Sequence, residues 1–450
     1  VRIALDAMGG DYAPRAAVEG AVLAARELNL HVVLVGIRAT LEKELAEYEC
    51  GGLNLTIEHA PEVVTMDDPP LEVVLSKPQS SLHACYQLLK RGEVDAVISA
   101  GNSGAMMTIG ITLLGNLAGI DRPAIASIVP TIDAITLLVD AGANTEVKPV
   151  NLAQFAVMGS AYMRRLRNLP APRVAILANG EESSKGTELT RTAAAMLSQS
   201  APYINYIGYV EGRDINLGKA DVVVTDGFTG NIALKTMEGC ARFVLAGLHD
   251  VYATSMAGRL SYLLIRKRLR AVRERLDPSE YGGAPLLGLS GRAIIAHGSS
   301  DARAIRNALR AAANQSLGEA LNRDINELLG KMSAAVHSPT GGKGIRAIFG
   351  RMRERLHLRA KENELKKSDG HPDSGAAKAE AQPASTVRPR TGSLNGAVAG
   401  AKPEAIRATE PESIPPPGPR TTENSHEKSA AKPREITGAA PSSRPEPLKH

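Results

Sequence analysis

The chain has no tryptophan, four phenylalanines and ten tyrosines in 450 residues, so aromatic side chains cannot fill its interior. Hydrophobic residues still make up 43% of it, an ordinary share for a globular protein. Val, Ile, Leu and Ala must therefore pack the core, the composition of buried parallel strands. Cysteine is scarce as well. Cys50, Cys85 and Cys240 are too scattered for a disulfide framework or a zinc site, which points to a reducing, cytoplasmic setting. The opening run Arg2-Ile3-Ala4-Leu5 is strand-like, so no signal peptide is expected. Charge is missing between Asp95 and Asp121, a stretch long enough to raise the question of a membrane span. Asn102, Ser103, Asn116 and several glycines interrupt it, and it reads as a buried strand, a loop and a buried helix. No G-x-S-x-G elbow, H-E-x-x-H or Walker lysine occurs, which removes the obvious hydrolase, zinc and ATP readings. Neither a metal nor a cofactor is expected. The formal net charge of +5 is a weak global signal, and no nucleic-acid partner is expected from it.

A compositional break falls near Lys361. From His371 to His450 there is no aromatic residue, and 13 of the 27 prolines lie there. Such a segment buries too little apolar surface to offset its ordering entropy, so disorder is predicted. Upstream, apolar runs alternate with amphipathic stretches. Strands are predicted at Ile3–Leu5, His31–Val35, Leu53–Glu58, Asp95–Ser99, Ile135–Val139, Val174–Leu177, Asp221–Thr225 and Ala293–Ala296. Helices are predicted at Arg15–Leu28, Ser81–Arg91, Leu152–Leu166 and Leu189–Ser198. This alternation argues for an α/β protein with a mainly parallel sheet covered on both faces. Residues 243–276 break the rhythm with two long helical stretches and read as an inserted helical arm. The expected organisation is a domain over 1–335, a basic amphipathic helix over 336–362 and a disordered tail over 363–450.

In open α/β sheets, ligands gather at the carboxyl ends of the strands. Six such ends here are rich in Gly, Asn, Ser and Asp. Gly9, Gly10 and Asp11 follow the first strand; two adjacent glycines permit either a tight turn or backbone N–H groups close to an anion. The turn lacks the G-x-G-x-x-G dinucleotide fingerprint. Asn102, Ser103 and Gly104 offer donors without bulk before a helix. Asp140–Asn144 reads as a structural turn. Lys185, between Ser184 and Gly186 at a helix start, is well placed to meet an anion, where its charge adds to the helix dipole. Asp226, Thr229 and Asn231 shape a glycine-rich loop after Val222-Val223-Val224. His297, with Ser299 close behind, is an acid/base or phosphate-binding candidate, although a lone histidine is more often structural. Together the loops suggest a site that holds an anion through neutral donors and one lysine.

These residues resemble the acyl-acyl carrier protein:phosphate acyltransferase family, the phospholipid-synthesis enzymes usually called PlsX. The likeness is carried by Leu5–Asp11, Ser99–Ala105, Gly119–Ala124, Gly186–Glu188, Glu211–Asp214, Ala220–Asn231, Tyr281–Ala284 and Ala296–Asp301. It runs from Val1 to about Leu329. Ser103 stands where Thr is expected and Ala141 where Val is expected, and neither change removes a needed group. The resemblance implies a Rossmann-like three-layer α/β/α sandwich related to phosphotransacetylases and decarboxylating dehydrogenases, and a homodimer. It implies transfer of a fatty acyl group from acyl carrier protein to inorganic phosphate, the product being used by a membrane glycerol-3-phosphate acyltransferase. It carries a catalytic lysine onto Lys185 and a catalytic asparagine onto Asn231. Phosphate would be its own nucleophile, held by Gly9, Gly10, Asn102, Ser103 and Gly104, with Asp11, Asp226, Thr229 and Ser299 near the substrate. His297 is the candidate general acid. A short-chain enzyme acting on acyl-CoA is the alternative, and an NAD-linked dehydrogenase or a non-catalytic scaffold are remoter ones.

Two stretches suggest an anionic membrane surface. Arg259–Arg275 holds seven basic residues against Glu274, with Ile265, Leu269, Val272 and Leu276 on one helical face, which suits either lipid or packing in a dimer. Lys343–Lys361 holds seven against Glu354. Peripheral attachment at the inner face of the cell membrane is therefore expected.

Overall fold

In the computed structural model, residues 1–253, 256–314 and 317–336 are described. The expected second basic helix, beyond Val336, and the expected tail lie outside them.

The first half of the chain builds β1 (Arg2–Asp6), α1 (Arg15–Leu28), β2 (His31–Gly36), α2 (Arg38–Leu45) and β3 (Leu55–His59). It continues with α3 (Pro70–Ser76), α4 (Ser81–Lys90), β4 (Ala96–Ser99), α5 (Ser103–Leu114), β5 (Ala124–Pro130) and β6 (Ile135–Val139). Then come α6 (Pro149–Arg167), β7 (Val174–Leu177), α7 (Glu188–Gln199), β8 (Tyr206–Val210), α8 (Gly212–Leu217) and β9 (Val222–Val224). Two long helices follow, α9 (Gly227–Ala253) and α10 (Met256–Leu276). The described part closes with β10 (Ala284–Leu287), β11 (Ala293–Ile295), α11 (Ala302–Ala312) and α12 (Glu319–Val336).

The strands form one eleven-stranded sheet in the order β3-β2-β1-β4-β11-β10-β5-β6-β9-β7-β8. Two parallel blocks make it up, one of β3, β2, β1, β4 and β11, the other of β6, β9, β7 and β8. The antiparallel strands β10 and β5 join them. β10 is a splice: Ala284 and Pro285 pair with β11, whereas Leu286 and Leu287 pair with β5. Three antiparallel junctions separate the blocks, so they run in opposite directions. Most predicted strands are present within a residue or two. β5, β8 and β10 are additions: β10 is short and contains Pro285, and β8 is interrupted by Gly208 at φ 101°.

Aliphatic packing fills both faces, as the composition requires. Ile3, Leu5, Leu34 and Ile98 lie under α1 and α11, while Val33 and Val97 on the other face cluster with Tyr86 of α4 and Ile109 of α5. In the second block α6 is buried continuously from Val150 to Met163, with Asn151, Gln154 and Ser160 buried among its apolar side chains. The uncharged stretch between Asp95 and Asp121 resolves into β4, a loop and α5. The first helix of the expected arm, α9, starts directly at the end of β9, and its opening turns pack on the body before residue 243. Among the described residues no helix is long and apolar enough to cross a membrane.

Candidate active site

The strand-end loops fall into two groups. The first collects the ends of β1, β4 and β11, which are neighbours in the sheet. Its centre is Asp6, whose carboxylate accepts from Ser99 Oγ at 2.7 Å and from the Met8 amide at 3.2 Å. Burial pushes the Asp6 carboxyl above its ordinary range, and hydrogen bonds from serine hydroxyls and the Met8 and Gly9 amides oppose that rise. Gly9 is required here by proximity, since a Cβ would lie 2.7 Å from Asp6 Oδ2 and 2.9 Å from the Gly101 nitrogen. The Asp11 amide donates to the Gly298 carbonyl at 2.8 Å, tying the first loop to the last.

Asn102 departs from the part expected of it. Its Oδ1 accepts from the Ala105 amide at 3.0 Å, capping α5, and its Nδ2 reaches the carbonyls of Thr65, Met66 and Asp68. The side chain therefore builds the loop. The donors left for an anion are the first amides of α5, at Ser103 and Gly104, where the helix also presents its positive end. Gly104 is held against Pro70 at the start of α3, where a Cβ would lie 2.6 Å from the proline ring.

The second group collects the ends of β6, β9 and β7. Asp140, read from sequence as part of a plain turn, organises it. With no exposed surface, Asp140 accepts at Oδ1 from the amides of Ile125 (3.1 Å), Gly142 (3.1 Å) and Ala143 (2.9 Å). Its Oδ2 accepts from the Asn144 amide and Asn144 Nδ2, both at 2.8 Å. Burial raises this carboxyl too. The Asn144 carbonyl accepts from the Gly227 amide at 2.7 Å, so the turn seats the first residue of α9. Asp226 accepts from the Thr229 amide and hydroxyl, both at 2.8 Å, and shapes that first turn. Asn231 is exposed beside Gly142, whose added Cβ would lie 3.5 Å from it. Lys185 stands on the loop after β7, its side chain lying over Gly180. Among the described residues it makes no side-chain hydrogen bond or ion pair.

The bridge between the groups was not visible in the loops. α9 leaves the end of β9 and crosses the seam, with Leu234 packed against clusters on both sides. Its third turn then reaches the end of β11. There Lys235 Nζ lies 2.9 Å from His297 Nε2 and 2.9 Å from Glu238 Oε2. His297 Nδ1 lies 2.7 Å from Ser299 Oγ and 3.2 Å from the Ser299 amide. Burial and then Lys235 hold the His297 pKa below the ordinary imidazole value, with Arg242 adding to the effect and Glu238 and Asp11 opposing it. Lys235 was missed by sequence reasoning although it is four residues beyond Asn231, the spacing that shares a helix face. Arg122, 3.5 Å from Asn144 Oδ1, was missed as well.

A family described as fatty acid synthesis protein matches residues 1–321. A phosphate acyltransferase of Geobacter sulfurreducens is 45% identical over 348 residues, covering 76% of this chain and 100% of that protein. A phosphate acyltransferase of Geotalea uraniireducens is 49% identical over 310 residues, covering 69% of this chain and 89% of that protein. A solved phosphotransacetylase from Streptococcus pyogenes is similar at a TM-score of 0.47 and 16% identity, covering 72% of this chain and 94% of that one.

Proposed function

The chain belongs to the fatty acid synthesis protein family, and on that premise we propose that it is a phosphate acyltransferase of phospholipid synthesis. It transfers a fatty acyl group from acyl carrier protein to inorganic phosphate, giving acyl phosphate and free carrier protein. The observation that carries the reading is the likeness to a phosphate acyltransferase over that protein's whole length.

The site chemistry supports it. Phosphate is largely ionised near neutral pH and attacks the thioester carbonyl directly, so no Ser or Cys nucleophile is needed. Cys85 is fully buried, and burial pushes its thiol well up, which makes it inert. The amides of Ser103 and Gly104 at the start of α5 hold the anion, with Gly9 and Gly10 keeping the loops close-packed. Lys185 neutralises phosphate and the developing oxyanion, and Asn231 donates to that oxyanion. Phosphate-dependent release of free carrier protein from palmitoyl-carrier protein, followed by mass spectrometry, tests the assignment. Release at the same rate without phosphate sinks it.

The helical arm supports a homodimer and attachment to an anionic membrane. α10 turns Ile265, Leu269 and Leu276 partly inward, so the stripe expected to meet lipid instead faces the protein, with only Val272 exposed. Other apolar residues stand in the open. Phe243 is 80% exposed and lies midway along the arm, suiting a partner protomer. Met256, Leu260, Leu263 and Leu264 (83% exposed) lie towards the tip, followed by Arg266, Lys267 and Arg268, which suits a lipid surface with acidic headgroups. The membrane glycerol-3-phosphate acyltransferase that takes the acyl phosphate would then be near.

A further inference from the structure

We propose that Lys235 is the catalytic acid that protonates the departing thiol, with His297 positioning it. The proposal rests on the phosphate acyltransferase reading and deepens it.

Asn231 and Lys235 are one turn apart on the same face of α9, about 6 Å along its axis. A group at one end of a thioester held by Asn231 is therefore within reach of the other. Lys235 has three N–H bonds as an ammonium and no acceptor. Glu238, whose side chain is 11% exposed, takes one, and His297 Nε2 takes a second. The third remains, on a side chain that is 48% exposed.

A neutral imidazole has one N–H, so it accepts either from Lys235 at Nε2 or from the Ser299 amide at Nδ1 (3.2 Å); while Lys235 is charged, Nε2 accepts and has no proton of its own to deliver. Lys235 Nζ touches Glu238 from its own helix and His297 from the loop after β11; the charges that act on His297 are Lys235, Glu238 and Arg242 from α9 and Asp11 from the loop after β1.

The reaction balances. A phosphate oxygen forms the new C–O bond to the carbonyl carbon. Collapse of the tetrahedral intermediate breaks the C–S bond, and the electron pair goes to sulfur. Lys235 Nζ transfers a proton to that sulfur, yielding the thiol. The proton that remained on the attacking phosphate then passes to the lysine amine, restoring the ammonium and leaving acyl phosphate as the dianion.

A leaving-group comparison on full-length protein tests this. Palmitoyl-carrier protein has a leaving thiol with an ordinary pKa of about 8.5, whereas palmitoyl nitrothiophenyl thioester releases a far more acidic thiol. Lys235→Met should lose roughly 10²-fold or more with carrier protein and little with the nitrothiophenyl thioester. Lys235→Arg should behave the same way, because guanidinium keeps the charge and the Glu238 pairing but holds its protons. Lys185→Ala, the comparison, should lose activity with both. Equal losses on the two thioesters, or restored turnover in Lys235→Arg, would overturn the acid role. Phosphate-dependent turnover by the unmutated enzyme in the same assay tests the parent reading separately.

Discussion

Asp140→Asn changes one atom at the point where the second group of loops is tied together. In the better of its two orientations the new amide keeps the oxygen that receives Ile125, Gly142 and Ala143. Its NH₂ then faces the Asn144 amide and Asn144 Nδ2, both formerly 2.8 Å from a carboxylate oxygen. Two buried donors lose their acceptor, and each such loss costs about 1–3 kcal/mol. Two effects soften the sum. Asn144 Nδ2 keeps the Pro123 carbonyl at 2.7 Å, and the buried carboxylate no longer has to be desolvated. A net loss of about 2–3 kcal/mol is expected, or roughly 5 °C in melting temperature for a domain of this size. Catalysis should fall as well, because the Asn144 carbonyl that seats Gly227 moves with its side chain. A misplacement of about 1 Å costs up to 10²-fold in rate, so a loss of at least about tenfold is expected at saturating phosphate. Differential scanning calorimetry and steady-state turnover measure the two effects. A variant that melts within about 1 °C of the parent and turns over normally would refute the claim that Asp140 holds α9 in place.

Lys185→Ala should lower turnover by about 10²–10³ while leaving the melting temperature unchanged, since that side chain makes no hydrogen bond or ion pair among the described residues; an unchanged rate would end its assignment. The pH behaviour follows from His297, whose folded pKa lies below the ordinary 6.5. As pH falls below that value the unfolded ring takes its proton first, so this group's contribution to stability declines down to the folded pKa and then levels. Protonating His297 also breaks its contact with Lys235, so the acid limb of turnover should lie below pH 6.5 and should disappear in His297→Gln. Leu263→Ser/Leu264→Ser should reduce co-sedimentation with phosphatidylglycerol vesicles, and Arg266/Lys267/Arg268→Glu should reduce it further at low salt; binding that ignores both changes would exclude the arm as the attachment point.

Much of the fold was legible because its strands are short aliphatic runs closed by glycine-rich loops. Ile135–Val139 and Val174–Leu177 are found where periodicity puts them. β10 was not visible, since an antiparallel splice of four residues containing Pro285 shows neither alternation nor a long apolar run. The loops were legible for the same reason the strands were, but their grouping was not: it depends on which strands are neighbours, and that is decided by crossovers. Asn102 shows the limit within a loop. A residue rich in donors looks like a ligand for phosphate until the carbonyls of Thr65, Met66 and Asp68 are found around it. Lys235 was hidden in the opposite sense, as one more cation on a helix whose direction only the sheet determines.

α9 is 27 residues long, about 40 Å, and its two ends are held very differently. At the start, Gly227 and Gly230 are wedged so tightly against the backbone of Asn144 and Asp140 that an added methyl would collide with it. Further along, Gly239 and Gly247 have nothing within 4 Å of where a Cβ would be, and each weakens the helix by about 1 kcal/mol relative to alanine. Stiffness therefore falls from the chemistry towards the tip. A bend imposed at the tip is taken up most easily at Gly247 and Gly239, both of which lie on the tip side of Lys235 and Asn231.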